Sequence, residues 1–394
     1  MPSSPKRHTK KNLTLITSLI SLSLLLVLAE VGVRLFVETS DISPDGLRQQ
    51  SLQYEPALFA RHIFQAKAHS VSHAFGNKKG LQWEINEKGY RGPNFESIKP
   101  PNTIRIIVYG GSATFDTRTD KNSDWPHLVG KKLRETGFTH IEVINAGIPG
   151  HTAVESVGRF FTEGFMFSPD YALLYNAWND MKYFDAKQSF LRTVKPALHQ
   201  FDYRIHNINF LDQWLCNSSH LYNVLRRVYF KKKTKLGREG IISSQDTRSS
   251  TTSLNPLQFR QYQLAVEMFV DLARNIGARP ILITQARLVH PENTEDQKKR
   301  IDYHHIGLSH KAILETFSRQ DAIIKKVAQS KNIPVFDAAQ EFSGLDWAFY
   351  DHVHFLPAGS EAMAEFIGSK LKEILIDSSP LLKQGEGKNL SSPP

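Results

Sequence analysis

From Ile104 onward, short apolar runs rich in β-branched residues alternate with stretches of helical periodicity, and few architectures accept that alternation. The runs are Ile104–Tyr109, Ile141–Asn145, Tyr171–Asn176, Ile281–Thr284 and Pro334–Phe336. Each is bounded by turn residues and too short for a helix, so each reads as a buried parallel strand. Helical patterns cover Trp125–Glu135, Ala153–Phe165 and Ala312–Ala328. Leu264, Met268, Leu272 and Ile276 recur every four residues along one face of another helix, which Gly277 stops. After Asp351 and His354 comes a last helix, with Met363, Phe366, Ile367, Leu371 and Ile374 on one face. The expected fold is α/β: a three-layer α/β/α sandwich around a central parallel sheet of about five strands. Ligands of such sheets bind beyond the carboxyl ends of the strands. Ser112, the Gly147–Gly150 turn and Asn179 each follow an expected strand, so they should converge at one edge.

The N-terminus adds a second constraint. Leu13 to Ala29 carries no charged residue, and the apolar character continues through Val31, Val33, Leu35 and Phe36, interrupted by Glu30 and Arg34. About 20 such residues cross a hydrocarbon core. Glu30 and Arg34 are spaced to pair where the helix leaves the bilayer. Lys6, Arg7, Lys10 and Lys11 precede the segment, which keeps the N-terminus cytoplasmic and exports the body. The reading is a single-pass signal-anchor over 12–36. The alternative is a signal peptide cleaved near Val27-Leu28-Ala29, giving a secreted protein. Either way the body is periplasmic or extracellular. The expected order is a basic terminus at 1–11, the anchor, a membrane-proximal segment at 37–100, a catalytic domain at 101–376 with an insertion at about 186–255, and a disordered tail at 377–394.

Composition excludes several classes. The single cysteine, Cys216, allows neither an intrachain disulfide framework nor a cysteine-based zinc site. The net charge of +10 is partly local: Arg226, Arg227, Lys231, Lys232, Lys233 and Lys235 form a second basic cluster. No nucleic-acid motif accompanies it, so it reads as a solvated helix end and loop, and no nucleic-acid partner is expected.

The residues with chemical potential lie around the strand ends. Asp351 stands three residues before His354, within one turn of chain, close enough to place a carboxylate beside the imidazole. Upstream, Ser112 follows Gly110-Gly111 at the end of the first run. Ser, Asp and His are the parts of an acyl-transfer triad. Gly150, in Asn145-Ala146-Gly147-Ile148-Pro149-Gly150-His151-Thr152, offers a backbone amide where a side chain would obstruct a ligand. Asn179, in Asn176-Ala177-Trp178-Asn179-Asp180, offers a side-chain amide, and Asp180 is placed to accept backbone hydrogen bonds. Each also has a plainer reading: a helix cap for Ser112, a Pro-Gly turn for Gly150, a strand-end turn for Asn179. His352 is a second candidate base. His-x-His invites a metal, but no third ligand cluster accompanies it. Trp178 and Trp347 are either pocket linings or packing anchors.

Taken together, Gly111-Ser112-Ala113-Thr114, Asn145 to Thr152, Ala177-Trp178-Asn179-Asp180 and Asp351-His352-Val353-His354 resemble, in order, the four blocks of the SGNH hydrolases, the GDSL-like esterase and lipase superfamily. The resemblance covers about 85 to 375. It implies an SGNH, flavodoxin-like sandwich, a triad of Ser112, Asp351 and His354, and an oxyanion hole made by the Ser112 and Gly150 amides and Asn179. Two departures stand out: Gly111 where the family has Asp, and Ala177 where it usually has glycine. The expected function is a membrane-anchored, exported serine esterase acting on acyl groups of carbohydrate or lipid, without cofactor or metal. Two other readings stay open: an O-acyltransferase modifying a surface polysaccharide, and a catalytically silent glycan-binding or assembly protein. Oligomeric state is not legible.

Overall fold

The computed structural model describes residues 6–36, 54–56, 59–60, 62–64, 69–71, 82–184, 210–226, 228–229 and 252–378. Lys231 to Lys235 of the basic cluster, much of the expected 186–255 insertion and the polar tail from 379 lie outside them. The chain divides into two compact units. One joins 1–52 to 197–247; the other joins 53–196 to 248–394.

In the first unit, Lys6–Phe36 is one helix. An 18-residue stretch within its Thr14–Phe36 portion has a mean hydropathy of 2.2 and is nowhere buried, and the portion is long and apolar enough to cross a membrane. Arg34 Nε lies 2.7 Å from Glu30 Oε1, the pair that the four-residue spacing anticipates. A second helix, Phe210–Ser218, is followed by helical residues 220–226.

Among the described residues, the second unit holds three sheets. Two are small antiparallel pairs: β1 (Tyr54–Pro56) with β2 (His62–Phe64), and β3 (His69–Val71) with β4 (Gln82–Glu84). The third has five parallel strands: β5 (Ile104–Gly110), β6 (Ile141–Gly147), β7 (Tyr171–Tyr175), β8 (Arg279–Ile283) and β9 (Val335–Phe336). Their order is β6-β5-β7-β8-β9. These strands are buried along most of their length, as a sheet covered on both faces requires. Trp125–Glu135 packs against Pro357–Ser378 to form one outer layer. Pro256–Asn275 packs against both Ala153–Glu163 and His310–Lys331 to form the other. The fold is the expected α/β sandwich.

The Pro256–Asn275 helix differs from its expected pattern in one respect. Leu264 and Met268, half of the four-residue stripe, are exposed. The core takes Tyr262, Ala265, Val266, Phe269, Val270 and Ala273 instead. A strict four-residue repeat drifts around a helix of 3.6 residues per turn, whereas the mixed three- and four-residue spacing stays on one face.

The order β6-β5-β7 creates the functional edge. The chain leaves β5 toward β6 and then crosses back to β7, so the loops after β5 and β7 diverge at their carboxyl ends. That divergence opens the crevice used for ligands in doubly wound sheets.

Candidate active site

Ser112 begins a single helical turn, Ser112–Phe115, directly after β5, with Gly111 as its cap. It is therefore not itself the cap. Its N–H belongs to the first turn, where donors have no intrahelical acceptor. The side chain is half-buried, and its Oγ lies 2.7 Å from His354 Nε2. The other ring nitrogen, Nδ1, lies 2.9 and 2.8 Å from the two oxygens of Asp351. Asp351 Oδ1 also accepts the backbone N–H groups of Val353 at 3.1 Å and His354 at 3.0 Å. These bonds fix the carboxylate to the turn that carries the imidazole. With the Nδ1 proton held by Asp351, the Nε2 lone pair faces the serine hydroxyl.

Burial alone would raise the Asp351 carboxyl. The charge and hydrogen bond of His354, the charge of His352 and the His354 backbone N–H outweigh it, holding Asp351 well below the usual carboxylate range. His352 stands beside this line, its ring centroid 5.6 Å from that of His354. It is buried, its ring stacks on Trp178 at 3.9 Å, and its Nδ1 lies 3.6 Å from Asp351. Asp351, His352 and His354 present ligand atoms within 4.8 Å of one another. Both Asp351 oxygens and both His354 nitrogens are nevertheless engaged in the line that ends at Ser112.

Gly150 adopts φ +88°, a left-handed conformation that favours glycine. Its carbonyl lies 3.4 Å from Lys182 Nζ. Asn179 is buried in the 3₁₀ turn Trp178–Tyr183 after β7. Its Nδ2 donates to the His151 carbonyl at 2.9 Å, leaving the second amide proton for another acceptor. Asn176 donates to the same carbonyl at 3.1 Å. Gly111 explains the first departure from the family pattern. A Cβ there would stand 2.6 Å from Asn179 Nδ2 and 3.0 Å from the His151 carbonyl oxygen. Ala177, the second departure, is fully buried in the main core, so its methyl packs into the interior. Asp180 accepts the Ala153 N–H at 3.1 and 3.2 Å, anchoring this loop to the start of the Ala153–Glu163 helix. Of the two tryptophans, Trp178 is buried and Trp347 is half-exposed.

A support network was not legible as such. Arg91, from the Gly89–Gly92 turn, is buried and reaches beneath the Ser112–Phe115 turn. It donates to the carbonyls of Phe115, Asp116, Thr119 and Asp120 at 2.6 to 3.0 Å, and its Nε lies 3.1 Å from Asp124. Asp124 also accepts from Asn145 Nδ2 at 2.8 Å and meets His127 Nδ1 at 2.8 Å. Burial would raise the Asp124 carboxyl, but His127, Arg91 and Asn145 hold it at about 2. The signals were Asn145, within a quoted block, and the glycine-rich turn around Arg91.

No family model and no curated protein sequence matches the chain. Among solved structures it is similar to the acetyl xylan esterase AlAXEase, at 15% identity over 68% of this chain and 99% of that one, with a TM-score of 0.40. It is similar to a lipase/acylhydrolase from Enterococcus faecalis at 15% identity, over 69% and 97%, with a TM-score of 0.40. A GDSL-like lipase from Bacteroides thetaiotaomicron is 12% identical over 70% and 89%, with a TM-score of 0.38. Likeness this distant decides nothing about chemistry, which rests on the geometry above.

Proposed function

We propose that the chain is a membrane-anchored, exported serine esterase that hydrolyses carboxylic esters through Ser112, His354 and Asp351. The observation that carries this reading is the unbroken line from Asp351 through His354 to the half-buried Ser112 hydroxyl. His354 takes the Ser112 proton as Oγ bonds to the ester carbonyl carbon. The carbonyl π pair moves to oxygen, and the Ser112 and Gly150 amides and Asn179 hold that oxyanion. The intermediate then collapses, the alkoxide leaves with the proton from His354, and an acyl-serine remains. Water deprotonated by His354 attacks it, releasing the acid and restoring the serine.

The alcohol is proposed to be carbohydrate. Tyr350, next to Asp351, and Trp347, four residues before Asp351 in sequence, each expose about half of their surface, and the Arg118 guanidinium lies 3.8 Å from the Tyr350 ring centroid. Flat aromatic faces beside a reacting centre suit sugar rings. The N-terminal helix serves as a cytoplasm-to-exterior anchor, as the basic residues before it favour.

The test is labelling of the full chain with a fluorophosphonate probe, alongside hydrolysis of an aryl acetate and of acetylated xylo-oligosaccharides. Labelling and turnover that vanish in Ser112→Ala support the reading. Labelling that persists in that variant, or a wild type that neither labels nor turns over, overturns it.

A further inference from the structure

An acid group in an apolar membrane segment is costly unless it is paired, and Glu30 is paired in an unusual way. Besides Arg34, its carboxylate accepts from Ser219 Oγ at 2.7 Å, His220 N–H at 2.9 Å and Leu221 N–H at 2.9 Å. Arg34 also donates to the Ser218 carbonyl at 3.1 Å. Ser219 Oγ in turn accepts the Tyr222 N–H at 3.0 Å. Glu30 and Ser219 thus cap helical residues 220–226 together, where a carboxylate is favoured by the helix dipole. The spanning helix is thereby tied to the junction of two short helices, far away in sequence.

That junction belongs near the bilayer edge. Thr14 begins the apolar portion and Glu30 stands about 24 Å further along at 1.5 Å per residue. A hydrocarbon core is about 30 Å thick, so Glu30 falls close to its outer boundary.

The two short helices are braced to each other by polar contacts. Arg226 Nη2 lies 2.8 Å from Asp212 Oδ2, and Tyr222 Oη donates to Asp212 Oδ1 at 2.8 Å. Leu211, Trp214, Leu225, Val228 and Tyr229 are each more than half exposed. Leu211 and Trp214 are three apart on the Phe210–Ser218 helix and so share one face.

We propose that this helical pair is an interfacial element that seats Leu211, Trp214, Leu225, Val228 and Tyr229 in the headgroup and upper acyl region of the bilayer crossed by the N-terminal helix. The occupant is phospholipid, because Glu30 fixes the pair to the end of the spanning segment, where lipid is the neighbour. Trp and Tyr are also the residues that settle at such a boundary. The inference rests on the anchor reading above.

The test uses the full chain reconstituted into phosphatidylcholine/phosphatidylglycerol vesicles, with and without brominated acyl chains. Flotation with the vesicles checks the anchor separately: a chain that stays at the bottom of the gradient sinks the anchor reading itself. For a chain that floats, the Trp214 signal is the difference between wild type and Trp214→Phe. The expected result is a blue-shifted Trp214 emission that loses intensity in brominated vesicles, with a smaller loss in Glu30→Ala. A Trp214 signal untouched by bromolipid overturns the proposal; if still blue-shifted, it points to a protein partner on that face. Undiminished quenching in Glu30→Ala overturns the tether.

Discussion

His354 Nε2 lies 2.7 Å from Ser112 Oγ although 242 residues separate them, and the ring's other nitrogen is held by a carboxylate three residues away. The long-range half of this Ser112–His354–Asp351 line is set by the sheet, and the short-range half by one turn. Replacing Asp351 therefore disturbs the tautomer without moving the elements. Asp351→Asn is expected to retain the fold and lose about 10,000-fold in kcat, with KM nearly unchanged. Steady-state kinetics with an aryl acetate checks this; a loss below about tenfold would remove Asp351 from the triad.

Asn179 is expected to act on rate more than on stability. The His151 carbonyl keeps Asn176 as a donor when Asn179 is removed. Asn179→Ala should lower kcat by about 100- to 1,000-fold. Its cost to unfolding free energy should stay near 1 kcal/mol. Kinetics and denaturant titration on the same sample separate the two, and a loss confined to stability would make Asn179 structural.

Gly111 is expected to act through Asn179. The Cβ of Gly111→Ala would stand 2.6 Å from Nδ2, so the amide must swing away. Gly111→Ala should therefore lower kcat by more than it lowers thermal stability, which bears the close approach to the His151 carbonyl oxygen. In a double-mutant cycle its effect should largely disappear in the Asn179→Ala background, because the donor it displaces is already gone. Fully additive losses would show that Gly111 acts by another route.

Asp124 should shape acid stability. Its folded carboxyl is held at about 2, below the ordinary 3.8, so it stabilises the fold above about pH 4. That contribution, about 2 kcal/mol, is lost as pH falls from about 4 toward 2. Asp124→Asn should flatten this part of the stability profile and cost about 3 to 5 kcal/mol at neutral pH, since Arg91 loses its buried partner. Urea unfolding followed across pH 2 to 7 reads both effects; an unchanged acid slope would contradict the assignment.

The sequence displayed what is local or periodic. Five strands and the Trp125–Glu135 helix fall within a few residues of where the patterns put them, because buried parallel strands are apolar runs. The Asp351/His354 spacing is a one-turn property and is readable directly. Contacts made by lone polar residues are different. Arg91 and Asp124 carry no periodicity, and it is tertiary packing, with Trp83, Ile85, Phe115 and Ile148 in one cluster, that brings the 82–95 segment under the Ser112–Phe115 turn. The grouping of 1–52 with 197–247 was hidden for the same reason: Glu30 and Ser219 meet across 189 residues, and neither signals the other.

Arg91 reaches the carbonyls that follow Ser112 from a stretch that precedes the first strand of the five-stranded sheet. The proposed esterase unit thus begins earlier than its sheet. A fragment cut just ahead of Ile104 would keep all five strands and every triad residue, yet lack the guanidinium that gathers the loop behind the serine. The shortest piece of this chain that still turns over ester should start upstream of Trp83.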